Sequence, residues 1–441
     1  MSRRLSAVVI PLAALLAGLL MANPALAQEG FVLAGQGPVN RSMGGASTAA
    51  PIDALGALYW NPATISGLPK SELEAGAELI YPQTKLSSTI LPGALGPGFP
   101  PVTLSGSTNA DDGAFPMPAI GLVYKPEASD VIYGLGIFAI GGFGVNYPGS
   151  TTNPILTAPP PNGLGVGPVY VNLQIVQFAP TVAVQLTDHL TFGIAPTLDM
   201  AQLEADPGFF LPPDLVGGFP AYQSMTHTRY AWGAGFQAGL YYTTCDGWHF
   251  GTSVKSPQWF EPFRYFTVDA AGVPHTGHVT IDYPLIASTG VAYTGFDGWV
   301  LSADFRYIDF SNAEGFEGVH FAPNGAATDL GWRSIFALAL GVQYQLTDAL
   351  SVRAGYDYNM NPVRSQNTAL NVGAPTILEH TVAVGASYRV SQCFTMSISY
   401  LHSFQNSITG PFITAAGSIP MTSVTSQAAA DSVALGFQVR F

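Results

Sequence analysis

Charge is scarce in this chain. Asp, Glu, Lys and Arg make up 10% of its 441 residues, where a typical soluble domain carries about 25%. The formal net charge is −13, which excludes a nucleic-acid partner, since that needs a basic face. Cysteine is scarce too: Cys245 and Cys393 are the only two. The fold therefore does not rest on disulfides. The two fall in separate predicted turns several strands apart and are expected to stay unbonded. After the first thirty residues no run of about 20 apolar residues occurs, so the mature chain has no transmembrane helix. No Ser-His-Asp arrangement can be inferred, and His275 and His278 lack the further ligands of a zinc site. Neither an enzyme nor a cofactor is expected.

Hydrophobic residues, by contrast, reach 48%, aromatics 12%, and there are 49 Gly and 35 Pro. A surface with so little charge must be covered by something other than water. Strands that alternate between one lipid-facing side and one polar side meet that need without any long apolar run. The first residues give the compartment. Arg3 and Arg4 form a basic start, Leu5 to Ala22 an apolar stretch, and Ala25-Leu26-Ala27 a small-x-small cleavage site. That is a secretory signal peptide over residues 1–27.

Residues 28–69 form a Gly/Ala/Ser-rich stretch with no sustained period, too apolar for a solvated tail, and expected to pack inside something. A short helix is expected within Ser47–Leu58, stopped by Asn61-Pro62. From residue 70 to 441 the period becomes 2. Val433, Leu435, Phe437, Val439 and Phe441 alternate with Ser432, Ala434, Gly436, Gln438 and Arg440. Arg353 and Asp357 share the polar side of another strand, and Asp304 and Arg306 that of a third. Strands are predicted at 70–82, 115–125, 131–145, 169–186, 189–204, 224–244, 248–268, 277–295, 299–311, 332–346, 349–361, 376–390, 393–407 and 428–441. Fourteen strands, joined by alternating short turns and long loops, predict an all-β transmembrane antiparallel barrel with both termini in the periplasm and an N-terminal luminal hatch of short helices.

Three local patterns point to a family. Ala57-Leu58-Tyr59-Trp60-Asn61-Pro62-Ala63 precedes the strands. Tyr133-Gly134-Leu135-Gly136-Ile137 runs through to Phe143-Gly144-Val145-Asn146-Tyr147 in the third strand. Ser351-Val352-Arg353-Ala354-Gly355-Tyr356-Asp357-Tyr358 leads to Asn361-Pro362-Val363, with Asn361 where Ser is usual. With the leader and the strand count, the chain resembles the FadL-type outer-membrane transporters of long-chain fatty acids and aromatic hydrocarbons over its whole mature length. The resemblance implies a hatch carrying the Asn61, Pro62 and Ala63 motif, and a lateral gate at a kinked third strand, here Gly141, Gly142, Phe143 and Gly144. The family's Pro-Phe-Gly-like run is Gly142-Phe143-Gly144 in this chain, which departs at the Pro. Glycines inside a strand weaken pairing and mark a bend.

The substrate implied is a long-chain fatty acid or related hydrocarbon. The loop residues Phe209, Phe210, Leu211 and Phe219 form an almost uncharged patch, expected to receive it at the mouth. Arg353 and Arg306 are candidates for a carboxylate head group, because Arg binds carboxylates in a bidentate way. Charges inside a barrel also pair with each other, and the scarcity of basic residues leaves an uncharged hydrocarbon open. Other expected partners are outer-membrane lipid and lipopolysaccharide, and the barrel assembly machinery through the terminal Phe441. The chain is expected to act as a monomer in the outer membrane of a Gram-negative bacterium. A general porin for polar solutes, a barrel-type enzyme and an adhesin are the rival readings.

Overall fold

The computed structural model describes residues 28–96, 101–216, 219–226, 229–269, 272–319 and 321–441. The predicted leader lies outside the described residues. Fourteen antiparallel strands close into one barrel. They are β1 (Glu72–Ile90), β2 (Phe115–Tyr124), β3 (Val131–Tyr147), β4 (Val169–Gln185), β5 (Leu190–Asp206), β6 (Ala231–Thr243) and β7 (Trp248–Lys255). The ring continues with β8 (Leu285–Tyr293), β9 (Trp299–Asp309), β10 (Ile335–Gln345), β11 (Leu350–Asn359), β12 (His380–Arg389), β13 (Phe394–Thr414) and β14 (Gly417–Arg440). β14 closes on β1 from Glu72↔Arg440 to Ile90↔Thr422, and the Phe441 amide donates to the Ser71 carbonyl at 3.0 Å. This pairing of the first strand with the last closes the ring, the condition for crossing lipid with strands.

The two faces follow the period of the sequence. Leu79, Val182, Leu240, Val384, Ile398 and Leu435 are exposed on the outside, while Glu78, Thr181, Gln237, Thr381, Ser399 and Ala434 are buried on the inside of the same strands. Outward Tyr124, Tyr133, Tyr242, Trp248, Trp299 and Tyr388 gather near the short-turn end, as expected of an interfacial aromatic girdle. No helix among the described residues is long and apolar enough to cross a membrane.

Several predicted boundaries are corrected: the strand expected over 70–82 runs on to Ile90, and the one expected over 224–244 starts only at Ala231. The strand expected over 248–268 breaks after Lys255 and rejoins β6 only at Trp259–Phe260, and Phe263–Val268 pairs instead with Pro274–Val279 in a loop hairpin. Its alternation mimics a continuing wall strand, but Pro257 lies at the break and can donate nothing to a ladder. The strand expected over 277–295 accordingly starts at Leu285. The loop expected over 408–427 is part of a long hairpin, with β13 and β14 meeting at Thr414↔Gly417. Ile408, Phe412, Ile413, Ile419 and Val424 are scattered there among Gly, Ala, Ser and Thr, so no sustained hydrophobic period marks it.

The barrel interior is filled by residues 28–68, which are buried apart from Pro51, Ile52 and Gly67. They contain α1 (Gly37–Ser42), α2 (Ala54–Trp60) and a 3₁₀ turn over Pro62–Gly67. The helix expected within Ser47–Leu58 begins only at Ala54. The Asp304 carboxylate on β9 takes the amides of Ser47 and Thr48, both at 2.8 Å, and holds that stretch away from helix. Asp53 caps α2 by accepting from the Gly56 amide. α2 ends where expected, because Pro62 cannot continue it and the Asn61 side chain accepts the Ala63 amide at 3.0 Å.

Candidate transport path

Ionic contacts fasten the N-terminal segment to the wall. Arg41 of α1 donates from Nε and Nη2 to both oxygens of Glu78 on β1, each at 2.8 Å. Glu78 also accepts from Ser432 at 2.6 Å. On the far wall Arg306 donates to Glu29 at 2.6 Å and lies over the Trp60 ring, 3.6 Å from its centroid. Both arginines are at most 1% exposed. Asn61 donates to the carbonyls of Thr48 at 2.9 Å and Leu240 at 3.0 Å, joining the segment to β6. Pro62 and Ala63 press on β5 at Gly193, where any Cβ would collide with their backbone.

One stretch of wall lacks pairing. β2 and β3 pair only from Tyr124↔Tyr133 to Ala119↔Phe138. Beyond that, β2 stays on β1 as far as Phe115, and β3 stays on β4 as far as Tyr147. Among the described residues, no ladder joins Phe115–Pro118 to the part of β3 above Phe138. Pro116 and Pro118 in that stretch have no N–H to offer. At Ile140 the β3–β4 register slips by one residue: Ala139 faces Val176 and Gly141 faces Ile175. This bulge points the Ile140 carbonyl inward, where it accepts from Leu33 N–H at 3.1 Å and the Tyr59 hydroxyl at 3.3 Å. The Gly142 amide donates to Phe31 at 2.9 Å. Gly141 is required by this approach, since a Cβ would strike the Phe31 carbonyl. The N-terminal segment thus covers from inside the backbone that β2 leaves uncovered. Above the break, Asp111 and Asp112 bridge to the Asn146 backbone at 2.8 and 2.9 Å.

A narrow apolar pocket of ≈ 30 Å³ sits beside the break. Phe143 lines it together with Phe209, Phe210, Leu203, Leu330 and Leu370. The structure therefore brings residues from the predicted mouth and the predicted kink into one pocket. Leu211 is buried against Gly277 of the loop hairpin. Phe219 pairs through its backbone with Val216 in a small loop sheet. Arg306 and Arg353 do not join this pocket. Arg306 is committed to Glu29, the Gly45 carbonyl and Asp304. Arg353 lies at the short-turn end, against Gln343 and Ser387.

Sequence reasoning missed the contribution of Phe31. Its ring packs against Phe143, Tyr283, Phe310, Phe316 and Trp332, with centroids 5.3–6.1 Å away. Such ring pairs contribute about 0.5–1.5 kcal/mol each beyond area burial. The residues come from one strand, two loops and the segment itself, so no linear motif announces them. Lys255, buried on β7 beside Gln177 at 3.3 Å, was likewise hidden.

Asp53 gives the segment a pH dependence. Burial, then the Glu72 carboxylate, push it up to about 7 from an ordinary 3.8. A carboxyl raised in the folded state contributes stability that is full below its ordinary pKa and lost as pH rises through the raised value. The segment should therefore hold more tightly at pH 6 than at pH 8. Single-channel recordings should show fewer openings at pH 6, and Asp53→Asn should flatten the difference. Equal opening of the unmodified protein at the two pH values would contradict this.

The fold defines an outer-membrane-type β-barrel with its own N-terminal segment inside the lumen. The chain belongs to the outer membrane protein transport protein family (OMPP1/FadL/TodX), whose model matches residues 18–441. Among solved structures it is similar to the toluene transporter TodX of P. putida, with 18% identity, a TM-score of 0.68, and coverage of 92% of this chain and 99% of that one. It is also similar to the toluene transporter TbuX of Ralstonia pickettii, with 17% identity, a TM-score of 0.65, and coverage of 92% and 98%. A Pseudomonas aeruginosa FadL homologue gives 14% identity, a TM-score of 0.68, and coverage of 93% and 98%. Comparison with curated proteins finds no match. At these identities the structures speak for the fold. The family comprises outer-membrane transport proteins, so the chain is an outer-membrane transport protein and not an enzyme.

Proposed function

We propose that this protein carries a hydrophobic small molecule, a long-chain fatty acid or related hydrocarbon, passively across the outer membrane. The molecule lands among Phe209, Phe210, Leu211 and Phe219 and leaves sideways at Gly141–Gly144. The observation that carries this reading is the unpaired stretch between β2 and β3 directly beside the apolar pocket of Phe143, Phe209 and Phe210. Residues 28–69 act as the hatch. They fill the axis, which argues against an open porin. To pass from pocket to break, a ligand must displace Phe31 from its ring cluster, and that displacement is the gating step. The exposed Phe441 is the feature read by the assembly machinery, and the barrel works as a monomer.

Uptake by cells lacking this gene tests the proposal. Complementation should restore uptake of toluene, hexadecane or oleate and leave sugar uptake unchanged. Restoration of sugar uptake alone would sink it. A toluene response without an oleate response narrows the substrate to uncharged hydrocarbons, in keeping with a pocket that no arginine lines among the described residues.

A further inference from the structure

Beneath the N-terminal segment, at the short-turn end of the barrel, lies a second cavity of ≈ 340 Å³. That is near the lower limit of small-molecule sites, about 300–1,000 Å³. Its roof is apolar, formed by Val39, Ala49, Ala50, Ile52 and Pro69 of the segment. Its wall carries Arg353, Arg389 and Arg440, together with Ser387, Ser397 and Gln438. Among the described residues, no Asp or Glu lines it. In a chain with 15 basic against 28 acidic residues, three arginines in one cavity run against composition.

The register explains how they converge. Arg353 sits opposite Gly385, Ser387 opposite Ser397, and Arg389 opposite Thr395, so β11, β12 and β13 present one inward patch. Arg353 is only 8% exposed. Its Nε donates to Gln343 and its Nη1 to Ser387, both at 2.7 Å and both to neutral oxygens. Arg440 pairs with Glu72 at 2.9 Å. Among the described residues, neither Arg353 nor Arg389 has a carboxylate within ion-pair distance. The nearby carboxylates are engaged above the cavity: Glu72 and Glu74 accept the Ala54 and Leu55 amides, and Asp53 accepts that of Gly56. A nearly buried guanidinium whose hydrogen bonds go to neutral oxygens, with the Asp53 and Glu74 carboxylates acting on it only from beyond ion-pair contact, still gains from an anion placed against it. A fork of N–H donors under an apolar roof matches a carboxylate with a short hydrophobic tail.

We propose that this vestibule binds a small organic carboxylate from the periplasmic side. The head group meets Arg353 and Arg389, and the tail lies under Val39, Ala49 and Ile52. The site is separated from the proposed hydrocarbon path by the N-terminal segment, so it stands independently of that reading.

The test is calorimetric titration of the detergent-solubilised mature protein with benzoate, benzyl alcohol and inorganic phosphate. Benzoate should saturate one site. Benzyl alcohol, which lacks the charge, and phosphate, which lacks the tail, should each bind at least about tenfold more weakly. Arg353→Gln combined with Arg389→Gln should weaken benzoate by about tenfold or more and leave benzyl alcohol unchanged. Arg389→Gln alone alters an exposed side chain and should weaken benzoate severalfold, which guards against misfolding of the double variant. Benzoate binding no tighter than benzyl alcohol, or unmoved by either substitution in folded barrels, overturns the proposal. Phosphate binding tighter than benzoate overturns the assignment to a carboxylate with a tail.

Discussion

Deletion of Ile140 is expected to lower hydrocarbon uptake by about tenfold or more while leaving an assembled barrel, because it removes the bulge that turns β3 away from β2. The deletion is unusually clean. Ala139 and Gly141 already face consecutive residues of β4, Val176 and Ile175, so every other β3–β4 partner is kept. What disappears is the inward carbonyl that receives Leu33 and Tyr59, and with it the offset that holds the upper half of β3 away from β2. Assembly is read from heat-modifiable mobility on gels, and uptake from radiolabelled toluene in cells. Gly141→Val with Gly142→Val should lower uptake in the same direction but with added strain, since the new side chains meet the Phe31 and Leu173 carbonyls. Unchanged uptake in an assembled deletion variant would refute exit through this part of the wall.

The second large effect concerns the N-terminal segment proposed as the hatch. In Glu78→Ala, Arg41 keeps its charge at 1% exposure and loses both carboxylate oxygens at 2.8 Å. Removing one partner of a buried ion pair costs about 3–5 kcal/mol. A segment anchored by a few such contacts cannot absorb that loss without spending time out of the lumen. Planar-bilayer recordings should change from rare events to frequent open steps, and cells should become sensitive to a large hydrophilic antibiotic. Replacing both residues, Arg41→Met with Glu78→Met, removes both buried charges and should restore closure in large part. Glu78→Ala channels as quiet as the unmodified protein would show that this pair does not hold the segment.

Much of the barrel was legible in the sequence because lipid imposes a period that solvent does not. The inside and outside faces of β11, β12 and β14 follow directly from residues such as Val384 against Thr381 and Leu435 against Ala434. The legibility ends above the lipid. There the apolar residues of β13 and β14 keep no steady alternation among Gly, Ala, Ser and Thr, while a loop hairpin at Phe263–Val268 alternates as strongly as a true wall strand. The path was legible only in pieces. The glycines near residue 141 marked a weak strand, but the bulge falls on Ile140, and no local pattern states that the bulge carbonyl is used by Leu33 and Tyr59. Phe209 and Phe210 stood out as an uncharged patch, while their meeting with Phe143 depends on three-dimensional closure. Arg306 and Arg353 looked equivalent as inward arginines. Their difference lies in their partners, a carboxylate from residue 29 in one case and neutral side chains in the other.

The central claim is that a hydrophobic molecule leaves through the side of the barrel between β2 and β3. Photolabelling tests it most directly, using an uncharged aryl-diazirine hydrocarbon added from outside to cells expressing the unmodified protein and mapping the labelled peptides by mass spectrometry. The predicted labels fall on Phe209–Phe210, on Phe115–Pro118 and on Ala139–Gly144, and the last two groups lose theirs when Ile140 is deleted. Labels on the lower lumen, at Ser351, Ser387 or Ser397, with none on β2 or β3, would show passage along the barrel axis and contradict the account.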